Sequence, residues 1–513
     1  MSTSRDKAQQ FLKVAGDFQL GVLPTEQRHP KTYDLARQSR EDIPTAIEIL
    51  KSLDIDTVRA VIDKMPELKK MRDDISQTLK DGNKVFFYGC GATGRLSLSI
   101  EFIWRVLHQD APEMLDRVYG FMTGGDVALV YAMESFEDHP EYGARHLHDM
   151  GFQKDDLLIS CTEGGETPSV IGATEEAAKV SSRRPWYLYS NPDQILRDNV
   201  ERSRRILDNP DIQKICLFVG PMAISGSTRL QSTTALQMGA AWALCNATGE
   251  DDGLDPSDFL EFLEETDFAF LEPFVIAEAD AYQNGDYLLY DTNDYGITIL
   301  TDTTERSPTF SLQVFENQTD KEIKPAMAYI RIPDANTPEE AWNSILLRQP
   351  FPLEWDVAKG MAGTKRLMGF DFSKNARAQR QSAIGDATLH IFSILRQGND
   401  MVFDLGPHNH RIDVSNLHPL YEQLLVKLLL NIHSALVMGR LKRIESNIMT
   451  WVKPSNNKLI DRVIRYVEAL LHHDEIFDYS YEDICFQLFK EIETLKPDEA
   501  VVLKTWKSLK EKH

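Results

Sequence analysis

Cysteine is scarce: five in 513 residues, scattered, odd in number and without a CxxC spacing. That excludes a disulfide framework and a zinc ribbon. Thiols inside apolar runs, such as Cys216 in KICLFVG, read as buried and free in a reducing compartment. Positive charge is short as well. Lys and Arg number 56 against 79 Asp and Glu, a formal charge of -23, so the field around the chain repels nucleic acid and anionic membranes. A small anion is not excluded, because a local cluster of backbone N–H groups can outweigh the global sign. No apolar run reads as long enough to span a bilayer, and the opening MSTSRDKAQQFLK has no apolar signal core. The expectation is a cytoplasmic protein with no nucleic-acid or membrane partner.

What is present is too much chain for one ordinary core. Residues 43–81 show helical spacing and stop at Asp81-Gly82. KVFFYG then reads as a buried parallel strand, followed by a glycine loop and the helical SIEFIWRVL. DRVYGFM, DDLLISC, PWYLYS and KICLFVG repeat the strand, each before a loop or turn and a helical stretch. That alternation predicts a parallel sheet with helices on both faces. A second α/β stretch opens at DPSDF, with Asp255 or Ser257 as the helix cap. It contains strand-like GDYLLYDT, AMAYIRIP and DMVFDLG, and helices over EEAWNSILL, RAQRQSAIGDATLHIFSIL and LLVKLLLNIHSALVMGRL. From about 455 the chain reads as charged helix.

Three loops of the first stretch share a design: GCGATGR at 89–95, EGGETPS at 163–169 and SGSTR at 225–229. Each follows an apolar strand and precedes a helix. Ligands of open α/β sheets bind outside the carboxyl ends of the strands. Glycine admits a phosphate close to the backbone, helix N-termini offer unpaired N–H groups, and short hydroxyls add donors. Tight strand-to-helix turns also use glycine, so a single such loop is weak evidence and three together are stronger. The first loop matches GxGxxG, but no acidic residue closes a second strand about twenty positions on, and it lacks the Lys-Ser/Thr of a P-loop. No cofactor is expected. His408, His410 and His418 cluster in LGPHNHRIDVSNLHPL without carboxylates or thiols to complete a metal set, so they read as a polar loop, and no metal site is expected.

At these residues the chain resembles a known family. GCGATGR, TGGD…ESFEDH, TEGGETPSVIGA and VGPMAISGSTRL are similar to the sugar isomerase (SIS) domain of the group containing N-acetylmuramic acid 6-phosphate etherases and glucokinase regulatory proteins. TEQRHPKTYDLARQ resembles the etherase N-terminal arm, and the segment beginning VKLLLNIHSALVMGRL resembles the exit from a last SIS domain into a lid. The resemblance implies an α/β fold: two SIS-type doubly wound parallel-sheet sandwich domains plus a helical C-terminal lid. Its parts would be 1–255 (arm and first domain, with a sugar-phosphate site), 256–450 (a second, degenerate SIS domain) and 451–513 (lid). It implies that Gly91, Thr93, Gly164, Gly165 and Thr167 hold a phosphate, that Ser227 and Thr228 close the site, and that Lys427 reaches across from the second domain. Glu137 matches a carboxylate used for acid/base work in etherases and for sugar hydroxyls in the regulatory protein. Without the family match, Glu137 reads as a solvated helix start, Lys427 as a lysine snorkelling from a core helix, and Arg95 as structural.

The chain departs from the family pattern at Ile103, where etherases carry a glutamate that protonates the departing lactate. Glu101 lies two residues earlier, about 200° around a helix. An ether elimination needs both a base and an acid. Glu163 and Glu166 also stand where small or basic residues are usual. The implied function is a sensor or regulatory binder of a hexose or amino-sugar 6-phosphate, with an etherase-like lyase or sugar-phosphate isomerase as the alternative. Partners would be the phosphorylated sugar and, for a sensor, a regulated protein. The two domains leave open a monomer with an internal pseudo-dimer, or a homodimer.

Overall fold

The predicted apolar runs pair as β1 (Val85–Gly89), β2 (Val118–Met122), β3 (Leu157–Cys161), β4 (Trp186–Tyr189) and β5 (Gln213–Cys216), all parallel, in the order β2-β1-β3-β4-β5. The computed structural model describes residues 3–18, 20–249, 254–358 and 360–513. All five positions of β1 and of β3 are buried, as expected for strands covered by helices on both faces. Val85 sits opposite both Val118 and Leu157. The strand order therefore reverses between β1 and β3, and a crevice opens beyond their carboxyl ends. Loops 89–95 and 163–169 leave from those ends.

Each loop leads into a helix, Ala92–Leu107 after β1 and Pro168–Val180 after β3. The third loop leads into Gln231–Cys245, whose residues are all buried. Thr233 Oγ1 donates to Glu163 Oε1 at 3.0 Å, which draws the third loop's helix against the second loop. The N-terminal arm is tied in too: Thr25 N–H donates to Asn191 Oδ1 at 3.1 Å, and Asn447 Nδ2 donates to Thr32 Oγ1 at 2.9 Å.

A second five-stranded sheet holds β6 (Tyr287–Asp291), β7 (Ala328–Arg331), β8 (Leu389–Gln397), β9 (Asp400–Leu405) and β10 (His408–Asp413), in the order β10-β9-β8-β6-β7. It is mixed rather than parallel. β6 pairs parallel with β7 and β8, whereas β8, β9 and β10 run antiparallel. This sheet corrects two expectations. The stretch expected as one helix over RAQRQSAIGDATLHIFSIL is helical only over Ala376–Ile384; Gly385, at φ 64°, ends it and β8 comes next. Phe392 and Ile394 are buried in alternation, the period of a strand. The segment expected as a polar loop contains β10, with His408 and His410 on a strand, while His418 accepts from Leu420 N–H at the next helix start. Gly398 and Gly406, both with positive φ, make the hairpin turns.

Asp255 caps the Pro256–Glu265 helix as expected. Arg348, 5% exposed, joins the second unit to the first: its Nε donates to Glu101 at 2.9 Å and its Nη1 to Asp126 at 2.6 Å. The Pro419–Arg440 helix is long and apolar enough to cross a membrane, contrary to the expectation that no stretch is, but its apolar window is wholly buried inside the protein. Beyond it lie the helices Asn457–His473, Tyr481–Glu493 and Val501–Lys510.

Candidate functional site

The first loop satisfies part of itself. Thr93 Oγ1 accepts from Cys90 N–H at 3.1 Å and donates to Cys90 O at 2.8 Å, and the Thr93 side chain is buried. Short hydroxyl residues compete for nearby backbone groups in this way. Gly91 has φ 56° and a Cβ there would meet nothing within 4 Å, so the backbone conformation needs glycine while the space before it stays open. Gly89 and Gly94 serve packing: a Cβ would come within 2.4 Å of Thr93 and 2.5 Å of Met122.

The second loop is likewise internally bonded. Thr167 Oγ1 and Thr162 Oγ1 share a hydrogen bond of 3.0 Å, Asn191 Nδ2 donates to Gly164 O at 3.0 Å, and Ser203 Oγ donates to Gly165 O at 2.6 Å. Its two carboxylates differ. Burial pushes Glu163 up to about 7, with Glu305 and Glu137 adding to the rise. Burial would raise Glu166 as well, but Lys458 at 2.9 Å and the paired Arg202 outweigh it and hold the carboxyl at about 2. Glu166 thus stands as a neutralised ion rather than a bare charge.

The third loop faces a cleft of about 620 Å³. Ser227, Thr228 and Arg229 line it from the first unit, Glu137 from the segment after β2, Glu305 and Ser307 from the second unit, and Lys453, Lys458 and Arg462 from the C-terminal segment. Ser227 is 4% exposed and its Oγ makes no hydrogen bond within the described residues. A buried hydroxyl left without a partner is costly, and Ser227 is among the residues that line the cleft. Lys458 Nζ lies 3.8 Å from Glu137 Oε1. Arg462 pairs with Glu26 at 2.6 Å, and the pair ties the N-terminal arm to the cleft's edge.

The residues implied by the family resemblance therefore divide. Ser227, Thr228 and Glu137 meet at the cleft; Gly91, Thr93, Gly164, Gly165 and Thr167 do not line it. Lys427 lies in a separate, narrow cavity with Arg229, Asp302 and Asn431. Its Nζ donates to Thr234 Oγ1 at 2.7 Å and to Arg229 O at 3.1 Å. Burial lowers its pKa, and burial likewise raises that of the nearby Asp54 carboxyl. Ile103 is packed in the core, 1% exposed. Arg95 donates to the carbonyls of Ala128 and Leu129 and pairs with Glu305. Lys458, Arg462 and Glu305 were not singled out from the sequence. They sit some eighty to three hundred residues from the loops they face, and no local pattern marks them.

The sequence model for the glucokinase regulatory protein N-terminal SIS domain matches residues 67–177. N-acetylmuramic acid 6-phosphate etherase 1 of Bacillus licheniformis is 28% identical over 219 residues, 43% of this chain and 66% of its own length. The N-acetylmuramic acid 6-phosphate etherase of Salmonella schwarzengrund is 31% identical over 228 residues, 43% of this chain and 68% of its own. The chain thus spans just under two thirds of the Bacillus relative and just over two thirds of the Salmonella one. Among solved structures, the tagatose-6-phosphate ketose/aldose isomerase of Escherichia coli aligns over 79% of this chain and 97% of its own, at 10% identity and a TM-score of 0.42.

Proposed function

The chain belongs to the SIS domain family, in the group of the N-acetylmuramic acid 6-phosphate etherases and the glucokinase regulatory protein, and on that premise we propose that it binds a hexose or amino-sugar 6-phosphate in the 620 Å³ cleft. The observation that carries the proposal is the buried, unpartnered Ser227 hydroxyl on a wall shared with Lys458 and Arg462. A phosphate dianion takes hydroxyl and cationic donors, and a sugar's hydroxyls take a carboxylate such as Glu137. In this reading 1–255 is an arm and SIS domain, 256–450 a degenerate second SIS domain, and 451–513 a lid that contributes Lys458 and Arg462. Gly91 and the residues of loops 89–95 and 163–169 are not on the cleft wall.

Two activities are compatible with such a site. The relatives favour an etherase-like lyase on an amino-sugar 6-phosphate. Glu137, on the cleft wall, would be the base. The buried Ile103 and the second sheet favour a sensor without turnover, a form that leaves room for a regulated protein partner. The test is incubation with N-acetylmuramic acid 6-phosphate and assay of lactate, beside calorimetric titration with glucosamine 6-phosphate and fructose 6-phosphate. Lactate release lost in Glu137→Gln identifies the lyase; saturable binding without release identifies the sensor; no binding of any sugar phosphate refutes both.

A further inference from the structure

Two of the glycine loops end in an arginine, and one helix of the second unit holds both. Arg95 closes loop 89–95 and Arg229 closes loop 225–229. Arg229 Nη1 donates to Asp302 Oδ1 at 2.8 Å, and Arg95 pairs with Glu305. Asp302 and Glu305 stand three residues apart on the Gly296–Phe310 helix, and so on one face. The side chains of Arg95, Arg229, Asp302 and Glu305 are 1, 4, 2 and 11% exposed, so water screens neither pair.

Asp302 is held from behind as well. Its Oδ2 accepts from Arg306 Nε at 3.0 Å, and Arg306 Nη1 donates to Glu278 Oε1 at 2.7 Å. Glu278 Oε2 lies 2.7 Å from His433 Nε2, and Ser434 Oγ donates to Asp302 Oδ1 at 2.9 Å. A carboxylate fixed between two guanidinium groups and a hydroxyl has little freedom to follow a moving loop. Toward the cleft the chain of contacts is short: Ser227 precedes Arg229 by two residues, and Glu305 itself lines the cleft.

We propose that Asp302 and Glu305 are positioning residues for the ligand loops of the first unit: the second unit, whose described residues present no comparable glycine loops, sets the geometry of a site whose loops belong to its neighbour. The helix grips the third loop at Arg229, and the first through Arg95 in the opening turn of the helix that follows it, at positions one turn apart. Loosening the Asp302 grip frees a loop without changing the cleft wall, whereas Glu305 is on that wall as well. The consequence for affinity rests on the reading of the cleft as a sugar-phosphate site; the consequence for loop order does not.

The test uses the full chain with Asp302→Asn and Glu305→Gln, and with Glu316→Gln as control. Glu316 pairs with Arg380 in a buried contact of the second unit, and neither residue lines the cleft. Hydrogen exchange is followed at loops 90–95 and 224–231 without ligand, and glucosamine 6-phosphate and fructose 6-phosphate are titrated calorimetrically. Glu305→Gln is expected to speed exchange in loop 90–95 by at least about tenfold and Asp302→Asn to do so in loop 224–231, each weakening sugar-phosphate binding by about tenfold, while Glu316→Gln changes neither. Should Asp302→Asn fail to fold, Glu305→Gln decides alone. Loop exchange no faster than in Glu316→Gln, or loosened loops with affinity intact, overturns the proposal. A wild-type protein that binds neither sugar phosphate sinks the cleft reading, and the exchange data then decide the positioning role.

Discussion

The two sheets begin alike and finish differently. β6, β7 and β8 take the places of β1, β2 and β3, with the order reversing between the first and third strand in each. After β3 the chain turns through a glycine loop into a helix; after β8 it turns through Gly398 straight into β9. A helix start leaves N–H groups for a ligand, whereas a hairpin spends them on its partner strand. In the second unit side chains fill the space at the strand ends: Arg331 Nε donates to Asp291 Oδ1 at 2.8 Å, Tyr295 donates to Glu422 Oε1 at 2.5 Å and Thr298 to Gln423 Oε1 at 2.6 Å. Strand order alone does not make a ligand site; the connection leaving each strand decides.

The change with the largest expected effect breaks the link between the two units. Arg348→Ala leaves Asp126 buried without that cation while Glu101 keeps Arg105 at 3.0 Å, and a loss of about 3 kcal/mol of stability is expected in chemical denaturation. The exposed pair of Lys31 and Asp56 offers the contrast, where Lys31→Ala should cost under about 1 kcal/mol.

A pH comparison sharpens the difference between the two loop carboxylates. Glu163 sits at about 7 in the folded protein against an ordinary 4.5. The folded state therefore holds its proton more tightly than the unfolded chain, and the stability this lends below pH 4.5 is lost as pH rises through 7. Glu163→Gln should match wild type near pH 4.5 and be more stable by up to about 3 kcal/mol at pH 8. Glu166, held at about 2, behaves oppositely: its contribution is present above pH 4.5 and lost as pH falls toward 2. Melting curves should show Glu163→Gln gaining on wild type as pH rises from 4.5 to 8, and the deficit of Glu166→Gln shrinking as pH falls from 4.5 toward 2.

A third change compares the cations. Lys458→Met should weaken sugar-phosphate binding by about a hundredfold, near 2.7 kcal/mol. Arg396→Met, which alters a cation on β8 paired with Glu422, should leave affinity within about twofold. The smallest effect contrasts two glycines. Gly91→Ala meets open space and should cost about 1 kcal/mol for its positive φ, while Gly226→Ala should cost more, because its Cβ would sit 2.7 Å from Tyr466 Oη. Thermal unfolding of both variants checks the order.

The first sheet was legible in the sequence because each strand is a continuous apolar run followed by a loop or turn and a helix. β8 was hidden because its alternation, with Phe392 and Ile394 inward, adjoins a true helix and merges with it by eye. β10 was hidden because HNHRID lies at a sheet edge, where polar residues are normal. The candidate site was legible only in part. Glycine spacing marked the loops, but it could not tell that Thr93 and Thr167 turn their hydroxyls into their own loops, or that Ser227 does not. Lys427 had the charge the family resemblance asked for, yet the fold spends its donors on Arg229, Leu230 and Thr234. Lys458, on a segment distant in sequence, reaches the cleft instead.

Calorimetric titration of the full chain with glucosamine 6-phosphate and fructose 6-phosphate, wild type beside Ser227→Asp, puts the most weight on the first unit's cleft. The expected result is saturable binding of at least one of them at one molecule per chain, abolished when a carboxylate replaces the unpartnered hydroxyl. Two equivalents per chain, or binding that survives Ser227→Asp unchanged, would contradict a single ligand site built on that hydroxyl.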